Sequence, residues 1–228
     1  MGFLDGIREV SGLAIIVKVA LSLLLGGILG YERGMKNRPA GFRTYMLVCL
    51  GASLVMMTNQ FIFQFYDGGD IVRMGAQVIS GIGFLGAGTI MVTGRQQIKG
   101  ITTAAGMWAA ACCGLAIGIG FYEGAVIGGL TIFLIMSGFN KLEISFRKRS
   151  PIIDIYLEYT ASKNFSNFLK EVRSHSLEVI SIQMNGNRAS QEGDLCIIMN
   201  IESHKKREHE EVLSIIGSID GVDYVEEL

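Results

Sequence analysis

The stretch "GIGFLGAG" (81–88) sets Gly81, Gly83 and Gly86 at the spacing G-x-G-x-x-G, with Gly88 two residues on. In a dinucleotide turn that spacing brings backbone close to a pyrophosphate. Such a turn must follow a strand, open a helix on a water-filled crevice, and be followed about twenty residues later by an acid that holds a ribose. Here the glycines sit inside the apolar run "MGAQVISGIGFLGAGTIMVT" (74–93), with no preceding strand and no such acid. In lipid, glycine has another use, because it lets helices touch backbone to backbone. The same device recurs as Gly26/Gly30/Gly34, Gly114/Gly118 and Gly124/Gly128. All of these positions are expected to pack helices, and a glycine-broken helix lining a substrate path is the functional rival.

Charged and polar residues at the edges of apolar runs are the other place to look for chemistry, since burying an unpaired charge in a membrane is costly. The candidates are Glu32, Arg33, Arg43, Thr44, Asp70, Arg73, Gln77, Ser80, Thr89, Thr102, Thr103 and Trp108. Asp70 and Arg73 are three apart and placed to pair on one helix face. Glu32 and Arg43 bracket one loop and are likewise placed to pair, while Thr102 and Thr103 could cap the helix they open. No catalytic constellation is visible, and no cofactor or metal site is expected. Cys49, Cys112 and Cys113 lie in apolar runs, Cys196 stands alone in the tail, and no Cys/His cluster has zinc-ligand spacing. A magnesium conductor needs oxygen ligands, yet none of the seven acids in residues 1–146 lies mid-span.

These residues must be positioned by a strongly apolar scaffold. Half of the 228 residues are hydrophobic and 18% are charged, and thirty glycines accompany two prolines. Five stretches approach the ~20 apolar residues that a helix needs to cross a bilayer: 12–31, 44–63, 74–93, 101–120 and 124–139, the last running on through Leu142. The first carries one charge, Lys18, close enough to an end to snorkel. It is followed by "YERGMKNR" rather than a cleavage site, and so reads as a retained helix. Lys and Arg fall after the first, third and fifth stretches more than after the second and fourth, which predicts five crossings with the N-terminus outside and the tail cytoplasmic.

Near residue 147 the composition changes. Residues 1–146 carry ten Lys/Arg and seven Asp/Glu; residues 147–228 carry ten and fourteen. "IIDIYLEYT" alternates as a half-buried strand, and "NFSNFLKEVRSHS" has helical spacing behind a possible Asn164 cap. "LEVISIQMNG" and "GDLCIIMNIES" read as strands, "KREHEEVLSIIGSIDG" as a helix and "VDYVEEL" as a closing strand. The order β-α-β-β-α-β is that of a ferredoxin-like split unit. Domains of this shape resemble the ACT family, which bind small effectors or pair through sheet edges. The predicted architecture is thus a five-helix transmembrane domain (1–146) and an α+β cytoplasmic domain (147–228). Its expected partners are the bilayer, other membrane proteins, a second copy as a homodimer and a small effector at the tail, with no nucleic acid.

"GYERGMKNRPAGFRTYMLVCLGA" (30–52), "DIVRMGAQVISGIGFLGAGTIM" (70–91) and "KGITTAAGMWAAACCGLAIGIGFY" (99–122) together resemble the MgtC/SapB family. Ile71 stands where the family pattern has proline, and Ile101 where it has leucine. The resemblance implies a bacterial inner-membrane protein tied to survival in low magnesium and, in pathogens, to growth inside macrophages. It implies a regulator, linked to restraint of the rotary ATP synthase and to membrane potential and ion or phosphate balance, with an ACT-like tail. Glu32, Arg33, Arg43, Thr44, Asp70, Arg73, the glycine series, Thr102, Thr103 and Trp108 would then be family-signature positions. Two readings result: a non-enzymatic membrane regulator that binds other membrane proteins, and an ion transporter or channel with a polar path through the third stretch.

Overall fold

A computed structural model of the protein describes residues 11–36, 38–66, 70, 72–93, 97–147, 150–160, 164–185, 194–205 and 207–228. The chain divides into two compact units, 1–140 and 141–228, six residues before the boundary drawn from charge.

The first unit is helical. Helix α1 (Gly12–Met35) begins behind Ser11, whose side chain accepts a hydrogen bond from the Ala14 amide at 3.2 Å. Helix α2 (Phe42–Tyr66) is the middle element of the unit. Gly26 and Gly30 of α1 rest on one side of it: a methyl added at Gly26 would lie 2.8 Å from the Tyr45 carbonyl oxygen, and one at Gly30 2.9 Å from Phe42 Cα. On the other side, Gly114 and Gly118 of helix α4 (Ile101–Ile119) press on the carbonyls of Cys49 and Ser53. Helix α5 (Tyr122–Arg147) completes the set of four helices long and apolar enough, among the described residues, to cross a membrane. Gly100 (φ 102°) and Gly120 (φ 89°) bound α4 in the left-handed region, where a side chain would be strained.

The third apolar stretch departs from expectation. Its helix, α3 (Arg73–Ala87), has 15 residues, which makes it about 22 Å long against a hydrocarbon core of ~30 Å. It ends in a turn at Gly88 that Thr89 stabilises by donating its hydroxyl to the Gly86 carbonyl at 2.8 Å. A short antiparallel hairpin of β1 (Met91–Val92) and β2 (Ile98–Lys99) follows. The periodicity of "MGAQVISGIGFLGAGTIMVT" could not reveal this break, because the residues after it are as apolar as those before.

The glycine expectations also divide. Gly86 touches Ala104 of α4, with a notional methyl 3.3 Å from the Ala104 side chain. Among the described residues, Gly81, Gly83 and Gly128 face no neighbour, Gly34 barely approaches Phe42, and Gly88 and Gly124 meet only their own local segments. Of the glycines singled out in the sequence, close helix approach within one chain therefore belongs to Gly26, Gly30, Gly114 and Gly118, with Gly86 supporting α3.

The second unit follows the predicted order: β3 (Ile152–Thr160), α6 (Phe165–Ser174), β4 (Leu177–Asn185), β5 (Asp194–Ser203), α7 (His209–Gly217) and β6 (Val222–Glu227). The loop 186–193 lies outside the described residues. The sheet is antiparallel in the order β4-β5-β3-β6, so the two halves interleave. Asn164 does cap α6, accepting from the Ser166 amide at 3.0 Å. The alternation in β3 buries Ile153, Ile155, Leu157 and Tyr159 against Phe168, Val172, Val212 and Ile216. His209 is buried at the start of α7; its ring nitrogens face the Glu227 carboxylate (3.1 Å) and the Ser150 carbonyl (3.0 Å), tying both ends of the domain together. On the opposite sheet face the Tyr156 hydroxyl donates to Glu158 Oε1 at 2.9 Å and lies 3.2 Å from Cys196 Sγ.

Two predictions follow from this packing. Gly114→Leu drives a side chain into the α2 backbone and is expected to abolish monodisperse, thermally cooperative protein in detergent, whereas Gly83→Leu is expected to leave the melting midpoint unchanged; equal behaviour of the two counts against the packing described. In the second unit, burial and then the bonds to Cys196 and Glu158 push the Tyr156 hydroxyl above the usual tyrosine range. A raised folded value means the folded state keeps a proton that the unfolded chain loses, so this stability is full below pH about 10 and declines as pH rises past it. Tyr156→Phe is expected to flatten that alkaline decline, read as the melting midpoint between pH 8 and 11.

Candidate functional site

The end of the helical unit that carries the α1–α2 loop holds a buried ion pair. Arg33 lies in the last turn of α1, where a cation is favoured by the helix dipole. It is 5% exposed, and its guanidinium crosses to α5, where Nη2 donates to the Met136 carbonyl at 3.1 Å. Glu32 pairs with Arg33 (Nε–Oε2 2.8 Å) and with Lys36. These contacts are close in distance but poorly aligned, so both Glu32 oxygens and Arg33 Nε remain buried without a hydrogen-bond partner. Beside them Tyr45, fully buried, donates its hydroxyl to the Thr103 carbonyl at 3.3 Å. Gly106 leaves room for that phenol: a methyl there would collide with the hydroxyl and lie 2.8 Å from Met136 Cε. Four helices thus converge on one polar point.

The structure distributes the other candidates differently from the sequence reading. Glu32 does not pair with Arg43; Arg43 and Thr44 are exposed, and the buried residue of that turn is Tyr45. Asp70 and Arg73 form no ion pair. The Asp70 carboxylate accepts from the Val72 amide at 2.9 Å, which fixes the entry to α3, and Ile71 lies outside the described residues. Arg73 and Gln77 line an open groove of about 550 Å³ with Val55, Met74 and Val78. Ser80, Thr102 and Trp108 are exposed, and Thr89 serves the turn after α3. Neither Thr102 nor Thr103 caps α4, because the cap position falls on the left-handed Gly100; Thr103 is buried and offers its carbonyl to Tyr45.

A second buried polar cluster was not foreseen. Lys18 is 1% exposed and turns into the helices rather than out to lipid, with its ammonium donating to Gln60 Oε1 on α2 at 2.9 Å. Gly26 lies across Tyr45–Cys49 and Gly30 across Phe42–Tyr45, so α1 and α2 run antiparallel and the Lys18 backbone is level with about residue 53. The side chain therefore reaches up toward the N-terminal end of its own helix, as long helical side chains do. Ser22, Ser53 and Asn59 are buried on the same two helices. The signal available in sequence was Asn59-Gln60 inside an apolar run. Among the described residues, no group of three or more His, Cys, Asp and Glu is placed to hold a metal ion.

Removing one member of the ion pair leaves the other buried and uncompensated, which costs about 3–5 kcal/mol. Arg33→Met is expected to show that loss as a lowered melting midpoint in detergent, and Glu32→Gln with Arg33→Met to recover most of it. Arg43→Ala is expected to change stability by less than about 0.5 kcal/mol. A double variant no better than Arg33→Met would show that the pair is not the stabilising contact.

Residues 19–144 match the MgtC family. The chain is 29% identical over 212 residues to "Putative magnesium transporter YhiD" of Escherichia coli (strain K12), covering 91% of this chain and 95% of that protein. It is 31% identical over 220 residues to "Protein SapB" of Bacillus subtilis (strain 168), with 91% and 92% covered. It is 39% identical over 119 residues to "Protein MgtC" of Brucella abortus (strain 2308), covering 51% of this chain and 47% of that protein. The matched residues contain all four long apolar helices in whole or in most part, together with the Glu32–Arg33 site that those helices build; this chain is a membrane protein that belongs to the MgtC family.

Proposed function

We propose that the protein is a non-enzymatic regulator of magnesium and phosphate homeostasis and membrane energetics in the bacterial inner membrane, acting by binding other membrane proteins. The observation that carries this reading is the sign of the buried charge. The helical unit buries Lys18 and Arg33 toward opposite ends of α1, and Glu32, the carboxylate beside Arg33, is held by Arg33 and Lys36. A passage for Mg²⁺ requires oxygen ligands and a field that attracts a divalent cation, and this arrangement repels one. The glycine contacts on α2 further describe a tight packing of α1, α2 and α4, which leaves outer helix faces for partners.

On this reading five segments cross the bilayer, with the N-terminus outside and the ACT-like tail in the cytoplasm. The short α3 and its hairpin make up the fifth crossing. Gly81, Gly83 and Gly128, which face no neighbour among the described residues, then pack on a second copy in a homodimer or on a protein partner, of which the rotary ATP synthase is the first to test. The polar sheet face around Tyr156 and Asn200, opposite the helices, receives the small effector. The name of the Escherichia coli relative and the Arg73/Gln77 groove favour the rival reading, an ion transporter with its polar path along α3.

Flux and capture separate the two readings. Proteoliposomes are expected to move no Mg²⁺, Na⁺, K⁺, H⁺ or phosphate, and crosslinking in native membranes is expected to trap a membrane complex through α3. Selective flux that Arg73→Ala abolishes would establish the transporter instead.

A further inference from the structure

Helices α1 and α5 touch at the middle, where a methyl added at Gly129 would lie 2.7 Å from Leu25 Cδ1, and they stand apart around that contact. The space between them is a cleft of about 200 Å³. Its walls are almost wholly apolar, with Leu21, Leu25 and Ile28 on α1 and Tyr122, Val126 and Phe133 on α5. Both walls belong to helices long and apolar enough to cross a membrane. Leu24, Ile28, Val126 and Leu130 at the rim are exposed, so the medium at its mouth is hydrocarbon. A hollow of this kind left empty forfeits the dispersion contacts of every atom lining it. A transmembrane helix, about 10 Å across, is too wide to enter. A single hydrocarbon chain is the occupant of the right width and polarity.

The end of the cleft carries the second half of the argument. Continuing the same stripe of α1 by one turn reaches Glu32 and Arg33, then Lys36, and Arg33 bridges to the Met136 carbonyl where the α5 wall ends. Residues 32–43 hold four cations (Arg33, Lys36, Arg38, Arg43) and one carboxylate (Glu32), a net +3. Lys36 is partly exposed, while Arg33 is buried with its Nε 2.8 Å from Glu32 Oε2. Lys18, at the other end, donates from its ammonium to Gln60 on α2. The accessible positive charge at the Arg33 end is therefore Lys36, together with the exposed Arg38 and Arg43 of the same loop. We propose that the α1–α5 cleft holds one acyl chain of an anionic phospholipid whose phosphate lies against Lys36.

The test uses the full chain extracted from membranes and washed until bulk lipid is removed, then incubated with phosphatidylglycerol or phosphatidylcholine and weighed intact by native mass spectrometry. One phosphatidylglycerol is expected to remain per chain, preferred about tenfold over phosphatidylcholine, a difference of about 1.4 kcal/mol. Val126→Trp fills the cleft from its rim and is expected to reduce retention at least about tenfold. Leu134→Trp, an exposed position on the same helix outside the cleft, is expected to leave retention unchanged. Lys36→Gln is expected to equalise the two lipids without losing the bound chain. Should Val126→Trp fail to fold, Ile28→Trp from the facing wall carries the same measurement. No retained lipid, or equal loss from Val126→Trp and Leu134→Trp, overturns the site. Equal retention of both lipids by the unaltered chain overturns the phosphate contact, and a crosslink between Val126→Cys residues of two copies, in place of lipid, gives the cleft to a dimer interface.

Discussion

The close approach of α1 and α4 to opposite sides of α2 is the contact on which the rest of the helical unit depends. Gly26 and Gly30 from one helix, and Gly114 and Gly118 from the other, reduce both interfaces to backbone against backbone. In lipid there is no hydrophobic gain from joining two apolar helices, so association rests on dispersion and on short distances, which small residues permit. Once α1 and α4 are drawn in, the side chains between them are fixed with little freedom. Tyr45 has room for its ring only because Gly106 has none. The hydroxyl then reaches the Thr103 carbonyl, and the polar point at that end is assembled around it.

The same tight packing explains why the buried charges matter. A lysine and an arginine on one helix, fifteen residues apart, are both turned into the protein and both bonded to a neighbouring helix, Lys18 to Gln60 and Arg33 to Met136. In a low-dielectric setting such groups cannot be left unpaired, and each therefore specifies which helix lies opposite α1. α5 is held differently: the Gly129–Leu25 touch, the Arg33 bridge and the packing of Ala125 and Met136 with the α1 leucines leave a cleft between the two helices. Part of the helical unit is rigidly keyed, and part is open to whatever the bilayer supplies.

The second unit is stabilised in the ordinary aqueous way. Its sheet buries one face against α6 and α7, with Tyr159, Phe165 and Phe168 forming an aromatic cluster at ring separations of 5.4–5.5 Å. The other face keeps polar side chains linked across strands: Asp154, Asn200 and Ser181 in one row, Tyr156, Glu158 and Cys196 in another. Nothing in this unit requires the membrane for folding, and its element order was legible in full. Period-two alternation in β3, a capping Asn164 and the spacing of Val212 and Ile216 each report a local preference that the tertiary structure only has to satisfy.

Local pattern thus determined the class of each segment: which stretches are apolar helices and where the chain turns into an α+β domain. It did not separate Gly26, Gly30, Gly114 and Gly118, which meet a neighbouring helix, from Gly81, Gly83 and Gly128, which among the described residues meet none. Tertiary structure alone decided the partners. Spacing put Asp70 beside Arg73 and Glu32 near Arg43, yet the carboxylates went to a backbone amide and to Arg33 and Lys36. Lys18 read as a snorkelling anchor and proved to be buried, and Tyr45, hidden in an apolar run, became a centre of the polar site. The third apolar stretch looked continuous but broke at Gly88. The reason is common to all of these: composition reports how greasy a segment is, and helical period reports which residues share a face. Which way a face turns, and what stands across from it, is set by contacts between segments far apart in the chain.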